Sequence, residues 1–183
     1  MKFFTFLMSL FVATKVVAQT SAVALYDIPL KDIDGKDTSL RAFQGKVVLI
    51  VNVASHCGFT PQYTGLEALQ KKYGPKGFTV VGFPCNDFLS QEPGTEAEIK
   101  QFCTSKYDVT FPMFSKLHVK GDEQHPLYAA LTAKDSAFPG KITWNFNKFL
   151  MSKDGHIVSR FGSTDKPESK EVTSAIEMAL EAK

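Results

Sequence analysis

The sequence predicts an α/β fold in which helices cover both faces of a central mixed sheet. Three observations support this prediction: two strands with continuous apolar runs, helical patterns that alternate with them, and a polar hairpin turn near the C-terminus. A strand that is apolar along its whole length is buried on both faces, which requires helices above and below the sheet. The chain has 183 residues, of which 44% are apolar and 22% are charged. These proportions are typical of a single globular domain.

The first half of the domain alternates strands with a helix. A short strand is predicted over Val23–Ile28. The clearest strand is Lys46–Ala54, because its apolar run is continuous. Apolar residues at helical spacing over Gln62–Tyr73 predict a helix, which Gly74-Pro75 ends. A second buried strand follows over Phe78–Phe83.

The second half adds helices and an antiparallel hairpin. Thr95 and Glu98 have the spacing of a capping box, which predicts a helix start. The strands Phe149–Met151 and His156–Phe161 flank the turn Ser152–Gly155. Helices are predicted from Thr95 to about Lys106, over Pro126–Ala133, and over Pro167–Glu181 with Val172, Ile176 and Leu180 on one face. This order of elements is that of a thioredoxin-like fold.

The first eighteen residues have the pattern of a secretory signal peptide. A single lysine precedes an apolar run over residues 3–13, and small residues stand before a cleavage site at Ala18. We therefore expect residues 1–18 to be removed, and the domain 19–183 to be exported to the periplasm or secreted. The alternatives are a buried N-terminal helix or an uncleaved anchor. No other long apolar run occurs, so we expect no stable membrane insertion of the mature chain.

The charge balance excludes two classes of partner. The chain has 21 basic and 19 acidic residues, and removal of Lys2 and Lys15 with the leader leaves 19 of each. A neutral chain has no electrostatic surface for nucleic acid or anionic lipid. Three cysteines are too few for a disulfide scaffold, and no residues have zinc-like spacing, so we expect no metal.

Cys57 is the first candidate for chemistry. It lies just beyond the carboxyl end of the strand Lys46–Ala54 and before the next helix, at the edge where open α/β sheets place reactive groups. Unpaired amide groups and the positive end of a helix favour a thiolate there. No second cysteine lies within three residues, so the dithiol pair of a disulfide oxidoreductase is missing. Position alone leaves two interpretations, a reactive nucleophile and a buried structural thiol.

Three segments of the chain resemble the signature motifs of the glutathione peroxidase family. They are Asn52–Thr60, Phe83–Gly94 and Trp144–Leu150. They occur in the order found in that family, and the resemblance extends from Ala22 to the C-terminus. It implies a thioredoxin fold and an enzyme that reduces hydrogen peroxide and organic or lipid hydroperoxides to water and alcohols. It implies no cofactor.

The resemblance also implies a catalytic tetrad of Cys57, Gln91, Trp144 and Asn145. In this chemistry a thiolate attacks one peroxide oxygen, and the other oxygen leaves as an alkoxide that needs a proton. The amide and indole N–H groups of the other three residues are neutral donors that stabilise a thiolate and polarise a peroxide. One departure concerns Asp87–Ser90, where many relatives have Gln-Phe-Gly-Gly. The two glycines are lost, and a negative charge is added near the site.

A second thiol is needed to resolve the sulfenic acid that forms on Cys57. The resemblance implies Cys103, because thioredoxin-dependent members carry their resolving cysteine on the matching helix. We expect that helix to unwind locally, since a disulfide needs the two Cα atoms within about 7 Å. Cys85 is expected to be structural, with a second possible role as a backup resolver. The expected reductant is therefore a thioredoxin-like protein rather than glutathione.

The short stretch Lys134–Lys141 lacks the extra loop of tetrameric relatives, so the resemblance predicts a monomer that accepts bulky lipid hydroperoxides.

Two other functions fit the same residues. The first alternative is a thiol oxidase or redox sensor, which uses peroxide to pass a disulfide to a client protein. The second is a non-catalytic binding module on the same scaffold, for which Cys57→Ser leaves the function intact.

Overall fold

The computed structural model of the chain describes residues 25–182. The predicted signal peptide, residues 1–18, lies outside this range. The strands are β1 (Leu30–Lys31), β2 (Asp37–Thr38), β3 (Val47–Val53), β4 (Phe78–Pro84), β5 (Lys148–Met151) and β6 (Ile157–Phe161). The helices are α1 (Gln62–Tyr73), α2 (Glu96–Tyr107), α3 (Pro126–Thr132) and α4 (Lys170–Glu181). No helix within residues 25–182 has both the length and the apolar character needed to cross a membrane.

The main sheet is mixed and has the strand order β4-β3-β5-β6. β3 and β4 are parallel and pair along their whole length, from Val47 opposite Phe78 to Val53 opposite Pro84. β5 is antiparallel to β3, and β6 is antiparallel to β5. Every residue of β3 and β4 is buried, as their continuous apolar runs predict. The predicted central mixed sheet is therefore confirmed.

The two faces of the sheet belong to separate apolar clusters. The odd-numbered residues of β3 pack on one face with α1, α2 and α4, and this cluster includes Cys57 and Cys103. The even-numbered Val48 and Ile50 pack on the opposite face with α3, and this cluster includes Cys85. Alternating Cβ directions along β3 produce this division. The sheet therefore separates one cysteine from the other two.

The predicted helices are present, with small changes at their ends. α2 begins with the predicted capping box, because the Thr95 hydroxyl accepts from the Glu98 amide and the Glu98 carboxylate accepts from the Thr95 amide. α4 begins at Lys170 rather than at Pro167, since the Ser169 side chain caps it. Its third buried residue is Ala179 rather than Leu180. A separation of seven residues completes almost two helical turns, so it keeps a side chain on the buried face better than eight.

The predicted strand Val23–Ile28 is wrong over the residues that the structure describes. Leu25 and Tyr26 are helical, and the first strand starts only at Leu30. Both side chains are buried in the cluster that contains Cys85. A run of adjacent apolar residues this short does not distinguish a strand from one helical turn.

Candidate active site

Cys57 lies in a tight turn that directly follows β3. The Thr60 hydroxyl accepts a hydrogen bond from the Cys57 amide (3.0 Å) and donates one to the Ala54 carbonyl (2.8 Å). The backbone closes the same turn, because the Thr60 amide donates to the Cys57 carbonyl at 3.0 Å. These hydrogen bonds fix the position of Cys57. The residue is 7% exposed, so a small opening to solvent remains.

The sulfur of Cys57 receives a backbone donor from this turn. The Phe59 amide lies 3.4 Å from Sγ and donates to it. The helix α1 begins at Gln62, as predicted, so the turn lies between Cys57 and the helix start. The turn rather than the helix therefore presents a backbone amide to the sulfur.

Gln91 connects the Cys57 turn with the third motif. Its backbone carbonyl accepts from the His56 amide at 3.0 Å, which ties it to the residue before Cys57. Its side-chain Oε1 accepts from Nδ2 of Asn145 at 3.0 Å. Asn145 is fully buried, and its Oδ1 has no hydrogen-bond partner among the described residues. The structure therefore brings two of the predicted tetrad amides into direct contact.

Trp144 is half-buried between the two apolar clusters and packs against both. Its ring lies 5.6 Å from that of Phe88, measured between ring centroids. Within residues 25–182, the sulfur of Cys57 accepts a hydrogen bond from Phe59 but none from Gln91, Trp144 or Asn145. The Asn145 amide donates to Gln91 instead, so none of the three predicted donors bonds the sulfur in this state.

Two asparagines that the sequence analysis missed hold the third motif in place. Nδ2 of Asn52 donates to the Trp144 carbonyl at 3.1 Å, and its Oδ1 accepts from the Asn147 amide at 3.0 Å. Nδ2 of Asn147 donates to the same Trp144 carbonyl at 2.9 Å. Asn52 is the one polar residue of the apolar strand β3, and that exception was the available signal.

Lys148 is a third residue that the sequence analysis missed, and it lies beneath this segment. It is fully buried, and its Nζ donates to the Phe146 carbonyl at 2.8 Å and the Gly162 carbonyl at 3.3 Å. Burial lowers the pKa of Lys148 to about 8, and the negative charge of Asp165 opposes this shift. Phe146 has a left-handed φ of 63°. The lysine therefore supports a strained residue directly after Asn145.

The loop before Gln91 keeps a glycine-like backbone without its glycines. Leu89 and Ser90, where many relatives of the resembled family have glycine, both have a φ of 52°. A left-handed conformation costs a residue with a side chain about 1–2 kcal/mol. The Asp87 carboxylate accepts from the Val119 amide at 2.7 Å and lies 2.6 Å from Nδ1 of His118. The carboxylate of Asp87, which the sequence analysis identified as an added negative charge, is therefore fixed in place by His118 and the Val119 amide.

The other two cysteines are buried and their thiols are free. Burial, assisted by the charge of the nearby Asp87 carboxylate, raises the pKa of Cys85 to about 12. Burial also raises the pKa of Cys103, to about 11; the Tyr63 hydroxyl beside it acts in the opposite direction and the charge of Glu92 in the same one. Both side chains are therefore protonated thiols at neutral pH.

Glu92 is a buried acid that the sequence analysis did not single out. It is fully buried, and neither carboxylate oxygen makes a hydrogen bond within residues 25–182. Burial raises its pKa from 4.5 to about 7, against the opposing effects of Ser55 and of the positive charge of Lys116. An acid whose oxygens lack partners is not visible in a sequence, because the partners depend on tertiary contacts.

The ionisation of Glu92 predicts a measurable pH dependence of stability. Its folded-state pKa is higher than its ordinary value of 4.5, so between 4.5 and about 7 the folded state binds more protons than the unfolded state. The free energy of unfolding therefore falls as pH rises through this range, by on the order of 3 kcal/mol in total. Urea unfolding of wild type and Glu92→Gln should show that Gln gains this amount relative to wild type between pH 4.5 and pH 8. A difference that stays constant with pH contradicts the prediction.

The described residues contain no group of three His, Cys, Asp or Glu side chains placed to bind a metal ion. The arrangement around Cys57 instead consists of a thiol, a backbone amide donor and side-chain amides that do not titrate. Such a site can stabilise sulfur as an anion and donate hydrogen bonds to a substrate oxygen.

Comparison with known proteins identifies the same chemistry. A family model described as glutathione peroxidase matches residues 25–132. The hydroperoxy fatty acid reductase gpx1 of Synechocystis sp. is 49% identical over 166 residues, which cover 85% of this chain and 95% of that protein. The thioredoxin/glutathione peroxidase BtuE of Escherichia coli is 48% identical over 172 residues, covering 82% of this chain and 94% of that protein.

Solved structures agree on the fold. The apo form of Trgpx matches with a TM-score of 0.66 at 37% identity and covers 86% of this chain and 95% of its own. A thioredoxin-family thiol:disulfide interchange protein from Chlorobium tepidum TLS matches with a TM-score of 0.60 at 21% identity, covering 84% of this chain and 92% of its own. The second match shows the fold alone and confirms the thioredoxin-like prediction. The chain therefore belongs to the glutathione peroxidase family and is a peroxidase that reduces hydroperoxides.

Proposed function

We propose that Cys57 is the peroxidatic nucleophile, and that Gln91, Trp144 and Asn145 activate the peroxide. The observation that carries this proposal is that hydrogen bonds connect the segments of Cys57, Gln91 and Asn145. The Phe59 amide donates to Sγ of Cys57, Gln91 is tied to His56, and Asn145 is bonded to Gln91. When they reach the reacting atoms, these neutral donors stabilise the charge that moves during peroxide cleavage.

The first step transfers one oxygen atom to sulfur. The Cys57 thiolate attacks the nearer oxygen of the hydroperoxide, the O–O bond breaks, and the alkoxide leaves with the electron pair. Cys57 becomes a sulfenic acid as the peroxide is reduced. The leaving alkoxide takes up one proton from solvent, which replaces the proton that the Cys57 thiol lost when it ionised, and becomes water or an alcohol. The N–H group of Asn145, once it leaves Gln91, and the side-chain N–H group of Gln91 can both donate hydrogen bonds to the departing oxygen.

The second step joins Cys57 to Cys103. The two residues belong to the apolar cluster on one face of the sheet, whereas Cys85 belongs to the cluster on the other face. A disulfide between Cys57 and Cys85 would therefore require one of them to leave its cluster, while Cys103 requires only α2 to loosen. This difference favours Cys103 as the resolver, with Cys85 as a structural thiol.

Disulfide mapping tests the assignment directly. Reduced wild type, Cys85→Ser and Cys103→Ser are treated with one equivalent of hydrogen peroxide and analysed by mass spectrometry after proteolysis. We expect a Cys57–Cys103 linkage in wild type and in Cys85→Ser. Cys103→Ser is expected to stay as a sulfenic acid on Cys57, which dimedone traps. A Cys57–Cys85 linkage in wild type overturns the resolver assignment.

The reductant and the substrate follow from the same proposal. A disulfide inside the chain is the form that a dithiol protein reduces by exchange, so the reductant is a thioredoxin-like protein rather than glutathione. The relative from Escherichia coli is named for both reductants, and the relative from Synechocystis for hydroperoxy fatty acids. We extend the substrates to hydrogen peroxide and organic or lipid hydroperoxides, reduced by a monomeric enzyme.

Export of the mature enzyme is a further part of the proposal. The lysine and apolar run within residues 1–18 support it, as does the small residue at Ala18. Expression of the full chain in a secreting host should yield a protein outside the cytoplasm whose N-terminal sequence begins at Gln19. A product retained in the cytoplasm with residues 1–18 intact contradicts export.

A further inference from the structure

Glu92 occupies a place that the proposed peroxide chemistry does not use. It follows Gln91 in the chain, and its own amide donates to Oδ1 of Asn86 at 2.8 Å. The hydrogen bond between Gln91 and His56 places it beside Ser55, close to the turn of Cys57. Glu92 is therefore anchored to the peroxidatic segment rather than to α2.

The same carboxylate faces the helix that carries Cys103. It lines a cavity of about 400 Å³ together with Ser55, His56, Ile99 and Phe102. Ile99 is four residues before Cys103, and these two are the buried residues of α2, so they share one face of the helix. The cavity thus lies between the segment before Cys57 and the helix face of Cys103.

A buried carboxylate whose two oxygens lack hydrogen bonds is costly to keep ionised in a folded protein. The groups that face it from the packed elements leave its charge only partly compensated. They are Ser55, His56, Tyr63, Glu98, Cys103 and Lys116. Lys116 is the one lysine or arginine among them, and its Nζ donates to the Gly94 carbonyl at 2.6 Å.

We propose that Glu92 accepts the proton of the Cys103 thiol during disulfide formation and returns it to the leaving oxygen. This inference rests on the proposed roles of Cys57 and Cys103. A thiol must lose its proton before it attacks, because the thiolate is the nucleophile. Cys103 is a neutral thiol in the resting enzyme. Glu92 is the acid whose negative charge raises the pKa of this thiol. Because Glu92 is anchored to the Cys57 segment, it stays in place when α2 loosens and Cys103 approaches.

The step balances in atoms and electrons. The Cys103 S–H bond breaks and its proton moves to Glu92, after which the Cys103 thiolate attacks Sγ of Cys57. The S–S bond forms as the S–O bond breaks, so the Cys103 sulfur is oxidised and the Cys57 sulfur is reduced. The hydroxide that leaves takes the proton from Glu92 and becomes water. Glu92 returns to its starting state.

Rapid mixing with trapping separates this step from the first. Reduced wild type and Glu92→Gln are mixed with one equivalent of hydrogen peroxide between pH 5 and pH 9, and quenched with dimedone or acid for mass spectrometry. In Glu92→Gln we expect sulfenic acid formation on Cys57 within twofold of wild type. We expect disulfide formation to be slower by about 10²-fold, with the sulfenic acid accumulating. The wild-type rate of disulfide formation should change near neutral pH, and this change should be absent in Glu92→Gln.

Glu98→Gln is the matched control. Glu98 also lines the cavity, and glutamine can replace it in the capping box, so α2 keeps its start. We expect both steps of this variant to match wild type. Disulfide formation in Glu92→Gln at the wild-type rate and with the wild-type pH dependence overturns the proposal. Equal slowing of disulfide formation in both variants also overturns it, because removal of either carboxylate charge from the cavity would then have the same effect.

Two further outcomes are distinguished. If Glu92→Gln does not fold, Glu92→Asp decides: a shorter carboxylate must slow disulfide formation and shift its pH dependence, and an unchanged profile overturns the role. If wild type itself forms no sulfenic acid on Cys57, or no Cys57–Cys103 linkage, the proposed function fails rather than the role of Glu92.

Discussion

Cys57→Ser is expected to lower the second-order rate constant for hydrogen peroxide consumption by about 10³-fold or more. A serine hydroxyl is a far weaker acid than a thiol and forms no counterpart of a sulfenic acid, so both the attack and the oxygen transfer are lost. The small change in volume should leave the turn intact, because Thr60 bonds the backbone and not the sulfur. Competition kinetics with a peroxide-consuming reporter enzyme measure the rate constant.

The control for this prediction is Cys85→Ser, an equal substitution of a buried thiol on the opposite face of the sheet. It is expected to change the rate constant by less than about threefold, as a residue without a part in peroxide binding should. Peroxide consumption that survives Cys57→Ser, or that is lost in Cys85→Ser, contradicts the assignment. The first result also distinguishes the enzyme from a non-catalytic binding module.

Periodicity was sufficient to predict most of the fold. The helix Gln62–Tyr73 follows from its helical spacing, and the buried strands β3 and β4 follow from β-branched apolar runs of strand length with turn residues beside them. The strand prediction at Val23–Ile28 failed over the described residues because Leu25 and Tyr26 are helical and pack in the cluster that contains Cys85. Short segments are determined by the surface on which they pack, which is absent from local sequence.

The site divides in the same way. The positions of Cys57, Gln91, Trp144 and Asn145 followed from motifs, and the direct contact between Gln91 and Asn145 agrees with their assignment to one site. Two supporting residues, Asn52 and Lys148, were detectable in principle as polar exceptions in buried strands.

Glu92 was not detectable in this way. Its importance lies in the missing hydrogen bonds of its carboxylate and in its position between two cysteine-bearing segments. Both properties arise only when residues distant in sequence meet. Sequence motifs can therefore identify the groups that take part in a reaction, but not the direction in which each group points.

The direction of the Asn145 amide leads to the second large effect. In the resting structure its Nδ2 donates to Gln91 rather than to the sulfur, at a fully buried position. We expect Asn145→Ala to lower the rate constant for sulfenic acid formation on Cys57 by about 10²–10³-fold, the usual loss when one preorganised donor is removed from a site of developing charge. Stopped-flow measurements of the intrinsic fluorescence of Trp144, the single tryptophan of the chain, follow this step.

Asn147→Ala is the matched control, because Asn147 is an equally buried amide of the same segment that donates to the Trp144 carbonyl and to Ser163. We expect it to lower the free energy of unfolding by about 1–3 kcal/mol, since it removes the hydrogen bonds to the Trp144 carbonyl and to Ser163. Its rate constant should fall by less than about tenfold, because the Gln91–Asn145 contact remains. If both variants lose the same factor, the amide of Asn145 acts by supporting the segment. If only Asn145→Ala loses the rate, its N–H group acts on the reacting atoms, in a state where it has left Gln91.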